Sequence, residues 1–183
     1  ERKNSIYTVL ILVATLASPG ISRAQEPNSW QFEADKLVIS VTTSDAEYED
    51  TRSYQVAVAN DIRTISRLDV NRDGVVTNAW LTDLDNDGAF EIVVSVSQLG
   101  GGNVGAADIH EWNGIRFDST RVARLSGPQE IGYQGYDQFE IVKGRLTRSF
   151  PRFENKDGSR TPSGQMSNFE YRFKEQRWVA TDR

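Results

Sequence analysis

Carboxylate side chains recur at alternate positions in a short segment near the middle of the chain. Residues 83–88 read DLDNDG, which places Asp83, Asp85 and Asp87 at positions one, three and five, before a glycine at position six. Oxygen ligands with that spacing and a glycine for the tight turn are what a calcium ion requires of a loop. Position nine is Glu91, whereas position twelve, where a helix–loop–helix calcium site needs a glutamate, is valine. The segment is therefore a candidate Ca²⁺ site of another type, with Asp83, Asp85, Asp87 and Glu91 as ligands.

The same acidic segment also has an ordinary structural interpretation. Asp and Asn are good turn formers because their side chains hydrogen-bond to their own backbone. A similar segment, Asp69-x-Asn71-x-Asp73-Gly74, lies fourteen residues earlier, but a threonine occupies its ninth position. We therefore favour the second loop over the first as a metal site, and a calcium loop and a structural turn both stay open.

The residue types that carry most enzymatic chemistry are scarce in this chain. There is no cysteine, and the single histidine, His110, lies in a strand-like run. The sequence contains no G-x-S-x-G nucleophile elbow and no phosphate-binding G-x-x-x-x-G-K. Paired carboxylates that cleave a glycan stay open, because their spatial pairing cannot be read from sequence. We predict a protein that is not an enzyme, with a wall-directed hydrolase as an alternative.

A glycine-rich segment follows the apolar run EIVVSVS. Four of the six residues in GGGNVG (100–105) are glycine, the residue favoured where the backbone adopts φ > 0 or approaches another surface closely. The segment has no lysine and no following helical pattern, which excludes a nucleotide-binding loop. We interpret residues 97–105 as a loop between two strands, which either enters the cleft of a partner or is a plain tight turn.

Apolar residues recur mainly at every second position, which is typical of β-strands. We therefore expect strands to position these loops. YQVAVA (54–59), AFEIVVSVS (89–97) and NFEYRF (168–173) each place their large apolar side chains on one face. Asp73-Gly74 and Asn113-Gly114 are turn signals, as are the later Lys-Gly and Asp-Gly pairs. Twelve candidate strands, some expected to merge or fail, predict an all-β fold: an antiparallel β-sandwich of about eight to ten strands.

The first residues indicate export. A basic start, the apolar run IYTVLILVATLA and the small residues of Ser22-Arg23-Ala24 predict a cleavable signal peptide over residues 1–24 and a periplasmic location. Residues 25–183 then form one predicted domain, which must be held by burial because it has no cysteine. Its net charge of −7 argues against nucleic acid and anionic membranes as partners.

Three segments, in order, resemble the periplasmic inhibitors of invertebrate-type lysozyme. The first runs from Ser53 to Ala106 and includes the acidic loop and the glycine-rich loop. The second, YQGYDQFEIVKGRLTRSFPRF (133–153), is similar to that family's Y-x-G-H-D-x-F followed by G-x-L-x-R-x-F-P-x-[YF]. The third joins PSG (162–164) to the closing hairpin NFEYRFKEQRWV. The resemblance covers about 130 of the 159 residues after the predicted signal peptide.

The resemblance implies a β-sandwich, often a homodimer, that inserts an exposed loop into the active-site cleft of a lysozyme. In that family a serine and a tyrosine of the loop reach the catalytic carboxylates of the lysozyme. Those positions are Gly101 and Val104 here, and Ser97 and Asn103 are the neighbours able to substitute; the histidine of the second segment is Tyr136. The predicted partner-binding residues are Ser97, Gly100, Gly101, Gly102, Asn103, Val104, Gly105 and Tyr136.

The second acidic loop alone resembles the calcium loops of FG-GAP and related secreted repeat modules, in which an acid at position nine completes the ligand set. That resemblance implies a calcium-stabilised secreted β module that binds glycan or protein. A lysozyme inhibitor of the invertebrate type is the leading hypothesis, and it requires no cofactor. The calcium-stabilised module and the hydrolase are the alternatives.

Overall fold

The structure, a computed structural model, describes residues 29–44, 52–98, 103–174 and 177–182. The predicted signal peptide and the loop residues Gly100, Gly101 and Gly102 lie outside these ranges. Within them the chain forms twelve strands and one short 3₁₀ helix, and every strand pairing is antiparallel. The predicted all-β, antiparallel class is confirmed. No helix in the described ranges has the length and hydropathy that a membrane span requires.

Contacts divide the chain into two compact units. The first contains the described residues up to Arg72 together with Gly114–Arg116, and the second contains the described residues from Asp73 to Asn113 and from Phe117 onward. The first unit carries one four-stranded sheet, and the second carries two. A single domain over residues 25–183 stays a prediction.

The sheet of the first unit is a meander in chain order. A two-residue turn with positive φ at both positions joins its first two strands, which is the backbone that matches the strand twist of a hairpin. Apolar residues at every second position are buried, including Tyr54, Val56 and Val58, as the alternation predicts. Its strands are β1 (Ser29–Ala34), β2 (Leu37–Ser44), β3 (Arg52–Ala59) and β4 (Thr64–Arg72).

The second sheet carries both loops of interest and is also a meander. Its strands are β5 (Val75–Thr82), β6 (Glu91–Ser97), β7 (Gly105–Trp112) and β8 (Phe117–Arg121). Strand β6 is buried on both faces from Glu91 to Val96. The hairpin predicted at Asn113-Gly114 forms between β7 and β8. The Asp73-Gly74 turn instead connects β4 to β5, which belong to different sheets.

The third sheet follows the 3₁₀ helix Gly127–Glu130. Its strands, again in meander order, are β9 (Gln138–Val142), β10 (Arg145–Lys156), β11 (Ser159–Lys174) and β12 (Arg177–Asp182). The polar segment 158–167 is mostly exposed, and most of it is strand, because its residues pair with the end of β10. A polar hairpin extension with little buried surface has no apolar alternation that would reveal it in the sequence.

The two sheets of the second unit share one hydrophobic core, which makes this unit a β-sandwich. Side chains from β6 and β7 on one sheet pack with side chains from all four strands of the other. The strand count exceeds the predicted eight to ten because none of the twelve candidate segments merged or failed. The buried members of this core are Leu84, Val93, Ala107, Ile109, Val122, Phe139, Leu146, Tyr171 and Trp178.

Candidate functional site

The glycine-rich loop is closed at its base by regular pairing. Ser97, the last residue of β6, pairs with Gly105, the first residue of β7. One step further out, the Gln98 amide donates a hydrogen bond of 2.9 Å to the Val104 carbonyl. Asn103 is exposed and has a φ of +45°, a left-handed conformation that asparagine tolerates better than most residues. The loop therefore leaves the sheet from a defined, hydrogen-bonded base.

Gly105 is a glycine because another segment approaches it closely. Its amide donates a 2.6 Å hydrogen bond to Asp137 Oδ2. A Cβ added at this position would lie 2.5 Å from Asp137 Cβ and 2.8 Å from Phe139 Cε2, distances that real Cβ atoms do not show. A glycine is therefore required at position 105 because another segment lies close to its backbone, and not because of a positive φ.

A buried ion pair lies directly behind this contact. Arg148 Nε donates to Asp137 Oδ1 at 2.6 Å, and the two side chains are only 5% and 0% exposed. The other guanidinium nitrogens donate to the hydroxyls of Tyr171, at 3.2 Å, and Tyr133, at 2.9 Å. The Tyr133 hydroxyl in turn donates to Asp137 Oδ2 at 2.5 Å. We call Gly105, Tyr133, Asp137, Arg148 and Tyr171 the anchor network.

The anchor network is electrically balanced and fully connected. Burial lowers the pKa of Arg148, but the hydrogen bond and charge of Asp137, with the Tyr171 hydroxyl, raise it above its usual value. Burial and the hydrogen bond to Asp137 raise the pKa of Tyr133, so this phenol stays protonated as a donor. The guanidinium also lies 5.3–5.8 Å from the centroids of three aromatic rings. A buried network with every partner present holds a rigid, specific geometry.

A cleft of about 260 Å³ opens between the loop base and the anchor network. Gln98, Val104 and Gly105 line it on the loop side, and Tyr133 and Arg148 line it on the other. Arg121, Arg124 and Glu130 also border it, and Arg121 is paired with Asp108 at 3.3 Å.

Two of the predicted partner-binding residues occupy distinct positions around this base. Tyr136 precedes Asp137, has a φ of +61°, is half exposed, and stacks its ring on Phe153. Ser97 is half-buried at the end of β6. The structure therefore brings the second motif segment to the base of the glycine loop through Asp137.

Sequence reasoning did not single out Asp137, Arg148, Tyr133 or Tyr171 as site residues. Three of them lie in the quoted segment 133–153, at the tyrosine, aspartate and arginine of its two motifs. The sequence did offer one signal. Asp137 and Arg148 each occupy a position that strand alternation assigns to an otherwise apolar face. Buried ion pairs of this kind cannot be told from exposed strand charges by composition alone.

The second acidic loop is held by its own backbone hydrogen bonds. The amides of Asp87, Gly88 and Ala89 donate to the carboxylates of Asp85, Asp83 and Asp87, respectively, at 2.7–3.3 Å. Gly88 has a φ of +93°, which fits the glycine expected at position six. These bonds fit the interpretation of the loop as a structural turn, and they also gather its carboxylates on one side.

Glu91 differs from its acidic neighbours because it is buried. It is 1% exposed, and its Oε2 accepts a 2.7 Å hydrogen bond from the Leu84 amide. Burial, followed by the charges of Asp85, Asp83 and Glu111, raises the pKa of Glu91 to about 8. Burial and the charges of Asp87 and Asp85 also raise the pKa of Glu111. Carboxylates are thus concentrated at this point of the structure.

The other acidic turn is arranged differently. Asp69 and Asn71 lie within β4 instead of a loop, and Asp69 accepts a 2.6 Å hydrogen bond from Gln55. The two carboxylate clusters found among the described residues both belong to the second loop. His110 is buried on β7, with its Nδ1 2.8 Å from Ser119 Oγ.

Comparison with known proteins returned no matching family model and no matching curated sequence.

Proposed function

We propose that this protein is a non-catalytic inhibitor of a lysozyme, which inserts the loop of residues 97–105 into the active-site cleft of the enzyme. The observation that carries the proposal is the anchor network, which fixes Gly105 at the loop base through a buried Arg148–Asp137 pair. Fixing the loop base reduces the conformational entropy that is lost on binding, and preorganisation of this kind raises affinity.

The resemblance to inhibitors of invertebrate-type lysozyme gains support from the same network. Tyr133 and Asp137 come from the first motif of the second segment, Arg148 from its second motif, and Gly105 from the glycine-rich loop. These positions, far apart in sequence, meet in one hydrogen-bonded cluster. The proposal includes the periplasmic location, and the homodimer, that the signal sequence and the resemblance imply.

The chemistry of inhibition falls to the exposed polar groups of the loop. Asn103 presents an amide that can donate to a carboxylate, at the position next to the tyrosine of the related family. A hydrogen bond to a charged group contributes about 1.5–3 kcal/mol. The net charge of −7 after residue 24 favours encounter with cationic lysozymes.

An inhibition panel tests this function. The purified protein is titrated against lysozymes of the chicken, goose and invertebrate types, and cell-wall lysis is followed by turbidity. We expect the invertebrate-type enzyme to be inhibited most strongly. Absence of inhibition of all three types at micromolar protein would contradict the proposal, and so would digestion of peptidoglycan by the protein alone.

Replacing Asn103 tests the loop itself. Asn103→Gly keeps the left-handed backbone and removes the amide, so we expect inhibition to weaken by about 10- to 100-fold. Lys143→Gly is the matched control, because Lys143 is also exposed and left-handed (φ +53°) but lies in the turn between β9 and β10. Equal inhibition by Asn103→Gly and the wild type would remove Asn103 from the proposed contact.

A further inference from the structure

Two buried carboxylate oxygens beside the second acidic loop have no hydrogen-bond partner in the described chain. They are Glu91 Oε1 and Asp83 Oδ1. Glu91 is 1% exposed, so water does not solvate it freely. A buried polar atom without a partner is costly, and buried charges are normally paired or bound to a metal. These two atoms are available as ligands to a cation.

The residues that carry these two oxygens belong to a cluster of suitable dimensions. One carboxylate oxygen from each of Asp83, Asp85 and Glu91 lies within 4.8 Å of the others. Ligands of one Ca²⁺ ion stand about 2.3–2.6 Å from it, so two of them can be at most about 5 Å apart. The cluster therefore has the span of a calcium ligand set.

A fifth carboxylate comes from a neighbouring strand. Glu111 on β7 pairs directly with Glu91 on β6, and its oxygen gathers with those of Asp85 and Asp87 within the same limit. Like charges directly opposite each other on two strands destabilise a sheet. Asp85 belongs to both clusters, so a divalent cation bound there offsets the repulsion among the carboxylates of both strands.

We propose that one Ca²⁺ ion binds where the two clusters meet at Asp85, with ligands drawn from Asp83, Asp85, Asp87, Glu91 and Glu111, and that it ties the loop between β5 and β6 to β7. Carboxylates drawn from an irregular loop and two strands suit calcium, whose coordination is flexible, better than Mg²⁺, which demands octahedral geometry and retains water. The ion stabilises the β6–β7 hairpin at the end opposite the glycine-rich loop. This site is independent of lysozyme recognition, and its test is separate.

The test uses calcium alone as the probe. Thermal unfolding of the purified protein is followed in chelator, in millimolar CaCl₂ and in equal MgCl₂, with calorimetric titration of Ca²⁺ at fixed temperature. For an ion at about 100 times its Kd, we expect a rise in Tm of roughly 5–10 °C with calcium and less with magnesium. Absence of calorimetric binding together with equal Tm values in calcium and chelator would overturn the proposal, and an equal rise with magnesium would overturn its selectivity.

Matched variants locate the ion. Glu111→Gln and Asp85→Asn are expected to abolish most of the calcium-dependent rise in Tm. Asp73→Asn, the same type of substitution at the fifth position of the first acidic turn, is expected to leave the rise unchanged. Glu91→Gln distinguishes a ligand from a structural acid: in chelator its Tm should equal or exceed that of the wild type, while its response to calcium disappears. A full calcium response in Glu91→Gln would contradict the proposed ligand set.

Discussion

Replacing Arg148 with methionine is expected to lower the free energy of unfolding by roughly 3–5 kcal/mol, the usual cost of removing one partner of a buried ion pair. The variant leaves the Asp137 carboxylate, whose side chain is fully buried, without its cation. It also removes the donor to the Tyr171 hydroxyl. Urea denaturation followed by tryptophan fluorescence measures the change.

Arg145→Met is the matched control for Arg148→Met. Arg145 lies on the same strand and pairs with Glu170 at 2.7 Å, but its side chain is 54% exposed. An exposed ion pair contributes about 0–1 kcal/mol, so the control should change stability little. Adding Asp137→Asn to Arg148→Met should cost much less than the first substitution, because the unpaired charge is then gone. Similar small losses in Arg148→Met and Arg145→Met would contradict the anchoring role of the network.

Gly105→Ala is expected to abolish inhibition of lysozyme and to lower stability by about 1–3 kcal/mol, the cost of overpacking a well-packed site. The added methyl group would meet Asp137 Cβ at 2.5 Å and the Phe139 ring at 2.8 Å. Asp137 cannot retreat easily, because Arg148 and Tyr133 hold its carboxylate. The start of β7 must therefore move away. This movement breaks the hydrogen bond from the Gly105 amide to Asp137, which holds the loop base.

Gly144→Ala separates this steric effect from a general effect of glycine replacement. Gly144 has a φ of +71° and no atom within 4 Å of an added Cβ, so only backbone strain of about 1–2 kcal/mol applies. The measurements are the urea midpoint and the inhibition constant at a temperature where both variants are folded. If Gly144→Ala impaired inhibition as much as Gly105→Ala, the loss would reflect stability and not the loop base.

Period-two alternation predicted the strands because each buries one row of apolar side chains. It located all twelve, including β3 and β6, to within a few residues at most ends. It failed at the start of β11, where residues 159–166 are largely exposed and carry no apolar row. The turn signals marked chain reversals correctly, but Asp73-Gly74 shows that a turn does not reveal whether its flanking strands pair.

The candidate sites were predictable where their residues are close in sequence. The loop spacing identified Asp83, Asp85, Asp87 and Glu91, which the structure gathers into two clusters. Glu111 was missed because its place opposite Glu91 depends on the register of β6 against β7. The anchor network was missed for the same reason. Arg148 and Asp137 come from different segments, and no local sequence pattern shows which charged residues are buried as an ion pair.

Competition for the lysozyme cleft tests the central claim most directly. Binding of this protein to the invertebrate-type lysozyme is measured by calorimetry, with and without an oligosaccharide fragment of cell-wall glycan that fills the active site. The loop-insertion account predicts that the apparent Kd rises linearly with the free concentration of the oligosaccharide. An unchanged Kd at saturating oligosaccharide would place the contact elsewhere and contradict insertion of residues 97–105.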